Sequence, residues 1–386
     1  MKLVQVEIGP SPRGHGRIRL SGEISYRTAG RPTERLWFDV AESLAPDLSH
    51  SGNPWLAALL PLAVTLGEPL ELVRPVDAML REGVEALMRV WSVWYPADYQ
   101  PIPIECDVAQ RGTPAFAARI ATLFSAGVDS FYTLLRHEPG GAAYDKLRID
   151  DLLTIWGFDV PLQAAEAFRQ LAASIAEVAQ ALGKTPVTIA TNLRESGWNA
   201  ANWGKIAQGP AIAAAALALE GRYRQVLIPS SITFRTLRPW GSHPMTDPLL
   251  SSSRTEIRDD GALARRPEKM RSLLGSELAL EHLHVCWMSQ SAANCGVCEK
   301  CLRTLTILEL LGARDRAATF PSDTWSLNAI ANLRLRQDLD RQAMKRMTQV
   351  ARDYGRADIV RAATRAVRRY DLRKRAGRLA RALGFR

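Results

Sequence analysis

The sequence lacks the marks of a membrane-spanning or exported chain. No run of about 18 apolar residues occurs, the length a helix needs to cross a bilayer. The most apolar stretch, Trp55 to Leu66, is shorter and carries Pro61. The opening residues, MKLVQVEIG, have no apolar core of the signal-peptide kind. A cytoplasmic protein with no transmembrane segment is expected. Two common nucleotide signatures are absent as well. There is no Walker A loop of the form Gly-x4-Gly-Lys-Ser/Thr and no Gly-x-Gly-x-x-Gly. Cysteine is scarce: five in 386 residues, four of them between Cys286 and Cys301. In a large cytosolic chain such a cluster points to metal rather than to disulfides.

Acid is scarce in one place. From Arg361 to Arg386 ten basic residues face one acid, Asp371, whereas the whole chain carries a net charge of +10. The basic excess is thus a property of the tail, and the remainder is close to neutral. Val360, Val367, Leu372, Leu379 and Leu383 are interleaved with the arginines, as in an amphipathic helix with a basic face. A nucleic acid or an acidic protein is the partner such a tail suits, and a solvated tail is the plain alternative.

Periodicity divides the rest. Residues 1–117 read as a β-rich N-terminal module. Val4 to Ile8, Arg17 to Tyr26 and Leu36 to Val40 have strand character. Helical spacing follows at Pro54 to Leu66 and Val76 to Val93, with a further strand at Ile102 to Val108. Residues 118–312 alternate between short apolar runs and helical patterns. The runs are Ile120 to Phe124, Leu152 to Trp156, Val187 to Ala190 and Val226 to Pro229. Such alternation implies an α/β fold with a doubly wound parallel sheet, whose ligands sit at the carboxyl ends of the strands. Residues 313–386 read as a helical region ending in the basic tail.

The first of these runs leads into Ser125-Ala126-Gly127-Val128-Asp129-Ser130, which opens a helix. Small residues let backbone amides approach an anion, and the helix start adds a positive dipole end. Ser125 and Ser130 add hydroxyls, and Asp129 is placed to cap the helix or to help hold Mg2+ bound to phosphate. A strand-to-helix turn with an ordinary cap would use the same residue types. The segment resembles the SGGxDS signature of the PP-loop ATP pyrophosphatases, with Ala126 where that family has glycine. The resemblance implies an adenine nucleotide α-hydrolase-like domain that binds ATP in this loop. It also implies cleavage between the α- and β-phosphates, and adenine held near Phe158. Ser230, at the end of the fourth run, is a further candidate contact for phosphate or substrate.

Cys286 is followed by Cys295-Gly296-Val297-Cys298-Glu299-Lys300-Cys301. Two close Cys-x-x-Cys steps wrap one side of a tetrahedral ion, and four thiolates leave no open position, so a Zn2+ here is structural. An iron–sulfur cluster uses the same ligand count. The loop and the cysteine cluster together, with Arg303 just beyond, resemble the 7-cyano-7-deazaguanine synthase family. The likeness covers roughly residues 118 to 312. It implies an ATP-dependent carbon–nitrogen ligase that adenylylates a deazaguanine-like carboxylate and joins it to ammonia or an amine. Members of that family lack the N-terminal module and the basic tail.

His243, Asp247 and several arginines occupy a long Pro- and Gly-rich loop from Arg235 to Thr255, and long loops of this kind are usually functional. Asp129, Ser130, His243 and Arg303 are the candidate catalytic residues. Asn199, Asn202 and Trp203 are candidates for an acceptor pocket, with capping and packing as the plain alternative. A nucleic-acid-modifying enzyme and a non-catalytic nucleotide-binding subunit of a bacterial antiviral defence system are the competing functions, and a homodimer is compatible with each.

Overall fold

A computed structural model describes residues 1–109, 118–286 and 293–382. Expectations that fall on residue 117, on Leu383 or on Arg386 lie outside these residues. The chain divides into two compact units, residues 1–125 with 129–265, and residues 126–128 with 266–386.

The first unit is built on one sheet. Its N-terminal strands are β1 (Lys2–Pro10), β2 (Arg17–Ser25) and β3 (Glu34–Ala41). Helix α1 (Asn53–Leu66) leads to the short strands β4 (Leu70–Leu72) and β5 (Val76–Asp77). Helix α2 (Ala78–Trp94) and strands β6 (Ile104–Glu105) and β7 (Val108–Ala109) follow. Then come β8 (Arg119–Leu123), α3 (Val128–His137), β9 (Asp151–Trp156), α4 (Ala165–Ala181), β10 (Thr185–Thr191), α5 (Gln208–Leu217), β11 (Tyr223–Pro229) and β12 (Glu256–Asp260).

Ten of these strands form one sheet in the order β12-β11-β8-β9-β10-β3-β2-β1-β4-β6, and β5 pairs with β7 apart from it. From β12 to β10 every neighbouring pair is parallel. The turn to antiparallel pairing comes at β10 and β3, where Ala190 faces Asp39 and Thr191 faces Phe38. The expected N-terminal module is therefore not a separate layer: its strands continue the parallel sheet, and its helix α1 shares a core with α5.

The reason is in α1. Twelve of its fourteen residues are buried, which leaves it no polar face. A helix apolar all round must be covered all round. Helix α5, Ala-rich with eight of ten residues buried, packs closely on one side of it. On another side Trp55 covers β2 and meets Phe38 at 5.7 Å between ring centroids. Gly22 lies under that indole; a Cβ there would stand 2.8 Å from both Trp55 and Leu3.

Both faces of the sheet are covered. Phe38 and Ile189 belong to the larger core with α1 and α5. Their sequence neighbours Trp37 and Ala190 turn to the opposite face, with Leu162 and Trp156, as the two-residue period of a strand requires. There Phe168 of α4 stacks on Trp156 at 4.7 Å. The fold is thus α/β with a large, mostly parallel central sheet and helices on both faces. β12 escapes the sequence patterns because Glu256-Ile257-Arg258-Asp259-Asp260 has one apolar residue. It is an edge strand, where polar side chains are tolerated.

The second unit is helical, with α6 (Arg266–Leu273), α7 (Glu277–Glu281), α8 (Glu299–Leu310), α9 (Leu327–Asn332), α10 (Asp338–Asp353) and α11 (Ala357–Ala382). Helix α11 packs along α10 and α9 through Ile359, Ala363, Ala366 and Val367, a three- and four-residue repeat.

Gly22→Val tests the seating of α1. The added side chain meets the Trp55 indole, and unfolding free energy should fall by about 2 kcal/mol or more. A urea midpoint equal to that of the parent would show that the indole does not press on β2.

Candidate functional site: a strand-end loop and a four-cysteine centre

The strand order places a reversal at β8. The chain runs outward from β8 through β9 to β10, then returns to the other side of β8 with β11 and β12. Such a switch point opens a crevice at the carboxyl ends of the two strands on either side of it. The loop that follows β8 is the one expected to hold phosphate.

Its geometry is fixed from both ends. The Phe124 N–H donates to the Leu153 carbonyl at 2.9 Å, and the Thr154 hydroxyl donates to the Phe124 carbonyl at 2.8 Å. Ser125 is exposed, and its N–H donates to Ser130 Oγ at 3.4 Å. Ala126 then takes φ 56°, the one positive φ outside glycine among the described residues. Alanine in the left-handed region costs about 1 kcal/mol or more, and strain of this kind gathers at functional sites. Ala126 is fully buried, and its carbonyl accepts the His284 N–H at 2.8 Å. Helix α3 begins at Val128, with Asp129 in its first turn.

At the end of β9, Phe158 meets Trp203 edge-on at 5.1 Å. The Arg194 guanidinium lies 4.6 Å from the Trp203 ring centroid and donates to the Phe158 carbonyl at 2.8 Å. Trp203 opens a π-helical turn that runs to Ala207; such turns are rare and frequent at functional sites. The expected adenine contact and the expected acceptor contact are thus neighbours, with an arginine that no sequence pattern singled out.

At the end of β11, the Ser230 N–H donates to the Asp260 carbonyl at 2.8 Å. Its hydroxyl donates to the Ile232 carbonyl at 2.8 Å, so in this arrangement the side chain holds its own turn. Asp260 is a second residue that sequence reasoning missed. It receives Arg136 of α3 at 2.9 Å and lies 3.3 Å from His137 Nε2. Burial alone would raise its carboxyl. The His137 hydrogen bond and the Arg136 charge outweigh that and hold it below the usual carboxylate range. An ion pair between α3 and the sheet edge thereby fixes the helix that the loop after β8 opens.

His243 and Asp247 turn inward. The His243 ring is buried 5.0 Å from Trp94. Its Nδ1 accepts the Met245 N–H at 3.1 Å, and burial pushes its pKa down. With Nδ1 so engaged, the imidazole helps to shape its own loop. Asp247 is fully buried and accepts the Ser242 hydroxyl on Oδ2 at 2.6 Å. Its Oδ1 has no hydrogen-bond partner among the described residues. Burial pushes this carboxyl up to about 7, against the pull of the Ser242 and His243 hydrogen bonds.

In the helical unit the four cysteines come together. Their sulfurs all lie within 4.8 Å of one another, with Cys295 and Cys301 at 3.8 Å. A tetrahedron of sulfurs about 2.3 Å from one zinc ion has edges of about 3.8 Å. The donors therefore fit a single tetrahedral ion; a polynuclear iron–sulfur cluster would spread its thiolates over different irons. Cys298 caps α8, with its Sγ accepting the Cys301 N–H at 3.5 Å. Hydrogen bonding from Cys301 draws the Cys298 thiol down to about 5 despite burial. The Cys298 interaction and burial push Cys301 up. Gly296 turns the chain at φ 71°, and a side chain there would strike Thr324.

Asn294 joins the two ligand arms. Its Oδ1 accepts the N–H groups of Val285 at 2.8 Å and Cys286 at 3.1 Å. Its Nδ2 donates to the Leu283 carbonyl at 2.8 Å and to Thr319 Oγ1 at 2.9 Å. Arg303, one turn into α8, is mostly buried and pairs with Glu299 at 3.4 Å.

Two measurements follow from these environments. Asn294→Ala frees both ligand arms, and metal affinity in a chelator competition should drop about 10- to 100-fold; unchanged affinity would mean that the cysteines alone hold the geometry. Asp247 binds its proton more tightly in the folded chain than in the unfolded one. It therefore lends stability that is full below about pH 4 and lost as pH rises through about 7. Asp247→Asn should remove at least about 1 kcal/mol of the stability loss between pH 5 and pH 8, read by urea unfolding. Identical pH slopes for the two proteins would refute the assignment.

No family model matches the chain, and neither curated proteins nor solved structures yield a similar one, so a reading of these two sites rests on their own geometry.

Proposed function

We propose that the chain is an ATP-consuming ligase of the PP-loop type, with one structural zinc ion held by Cys286, Cys295, Cys298 and Cys301. The observation that carries this reading is the small-residue loop after β8, left-handed at Ala126, on the strand where the sheet order reverses. The start of α3, which this loop of small residues opens, supplies positive partial charge for a pyrophosphate. Asp129, in the first turn of α3, is placed to hold the magnesium ion that accompanies ATP.

The chemistry follows from that binding mode. A carboxylate oxygen of the acceptor attacks the α-phosphorus. The bond to the β-phosphate oxygen breaks, and pyrophosphate leaves with the electron pair. The resulting acyl adenylate is attacked at its carbonyl carbon by ammonia or an amine. The nitrogen loses a proton, AMP departs, and an amide remains. The carboxylate belongs to a flat heterocycle such as a deazaguanine, for which Trp203, Phe158 and Arg194 offer aromatic and cationic surface. A zinc ion held by these four thiolates would have no open position and would supply structure to the helical unit, apart from the transfer.

Pyrophosphate and AMP release from Mg-ATP, with 7-carboxy-7-deazaguanine and ammonium, tests the reading. Turnover should depend on the carboxylate and fall about 100-fold or more in Asp129→Ala. Ala126→Gly, which accepts φ 56° freely, should keep it, and Ala126→Val should abolish it. ADP and phosphate as products would overturn the proposal.

A further inference from the structure

Helix α11 carries more positive charge than its packing uses. Its inner face, Ile359, Ala362, Ala363, Ala366, Val367 and Tyr370, is buried. Several cations beside that face are engaged. Lys374 pairs with Asp338, Arg369 donates to Asn332, and Arg373 donates to the Leu335 carbonyl at 3.2 Å. Asp371 is claimed by Arg341 at 2.5 and 3.0 Å.

The outer face is different. Arg361, Arg365, Arg368 and Arg375 are exposed, and none has an ion pair among the described residues. Leu372 and Leu379 are 63% and 64% exposed. These six residues follow one another at spacings of four, three, four, three and four. That is the spacing of a heptad seam, one straight stripe of about 27 Å along a helix. Arg361 with Arg365, and Arg365 with Arg368, are like charges at helical contact distance and repel one another. A stripe of this kind is relieved by an anionic surface.

We propose that this seam docks an acidic amphipathic helix of a partner protein. Charge complementarity calls for carboxylates opposite Arg361, Arg365, Arg368 and Arg375. The leucines select among polyanions. Leu372 and Leu379 stand one heptad apart within the arginine stripe, where they gain nothing against phosphates but fill the holes of a facing helix. A lipid surface asks for a broad apolar face, and here Leu372 stands between Arg368 and Arg375 along the seam, with Arg375 also preceding Leu379.

The test uses the full chain and a synthetic 21-residue helical peptide with leucine at the a and d positions and glutamate at the flanking ones. Its glutamates keep it monomeric at neutral pH. Titrations with transfer RNA, duplex DNA and phosphatidylserine vesicles run in parallel. The peptide should bind most tightly, and Leu372→Ser/Leu379→Ser should weaken it at least tenfold while helix content stays unchanged. Arg361→Gln/Arg365→Gln/Arg368→Gln should weaken it as well and flatten its salt dependence. Tighter binding of nucleic acid, indifferent to the leucine change, would overturn the proposal in favour of a phosphate-binding face. Tighter binding of vesicles would overturn it in favour of a membrane surface. No binding of any of the four ligands would leave a solvated stripe and end the proposal.

Discussion

Helix α1 has no polar face, and the first unit is arranged to cover it. Removing a fourteen-residue apolar helix from water is a large favourable term. It is available only if something lies on every side of the helix. Here the N-terminal strands lie on one side and the Ala-rich α5 on another. That requirement draws β3 onto β10 and makes one sheet of what would otherwise be two. The small side chains of α5 and the bare Cα of Gly22 are the complement of α1, since they let backbone and indole approach closely.

Much of this was legible in the sequence, and the limits have physical causes. The strands β8 to β11 and the helices between them declare themselves through short apolar runs and three- and four-residue spacing. The small-residue turn from β8 into α3 is legible as well, because small residues before a helical pattern mark such a turn. The N-terminal strands were legible as strands but not as neighbours of β10. Pairing across about 150 residues is set by packing, and α1 reads the same whether it is covered by its own module or by another. The four cysteines fixed their own meeting by spacing. Asn294 sits beside one of them, yet its bonds to Val285, Cys286, Leu283 and Thr319 depend on a return of the chain that no local pattern encodes.

The buried charges divide into two kinds. Asp260 is neutralised by neighbours and strengthens the frame of the loop. Asp247 has a hydroxyl partner and no cation among the described residues, and burial raises its carboxyl pKa instead. A sequence shows both as aspartates in polar surroundings. The difference comes from which side chain arrives opposite, and it decides whether the residue steadies the fold at high pH or at low pH. His243 illustrates the same point from the other side. Flanking glycine and proline suggested a working loop, and the structure shows the Nδ1 side of the imidazole helping to shape that loop.

Asn294 gives the metal centre a history. One amide group gathers the backbone on both sides of Cys286 and ties it to Thr319, with bonds that require no ion. The polypeptide thus organises part of the cluster itself, and a metal ion bound by the four cysteines would meet a half-built cradle instead of loose thiols.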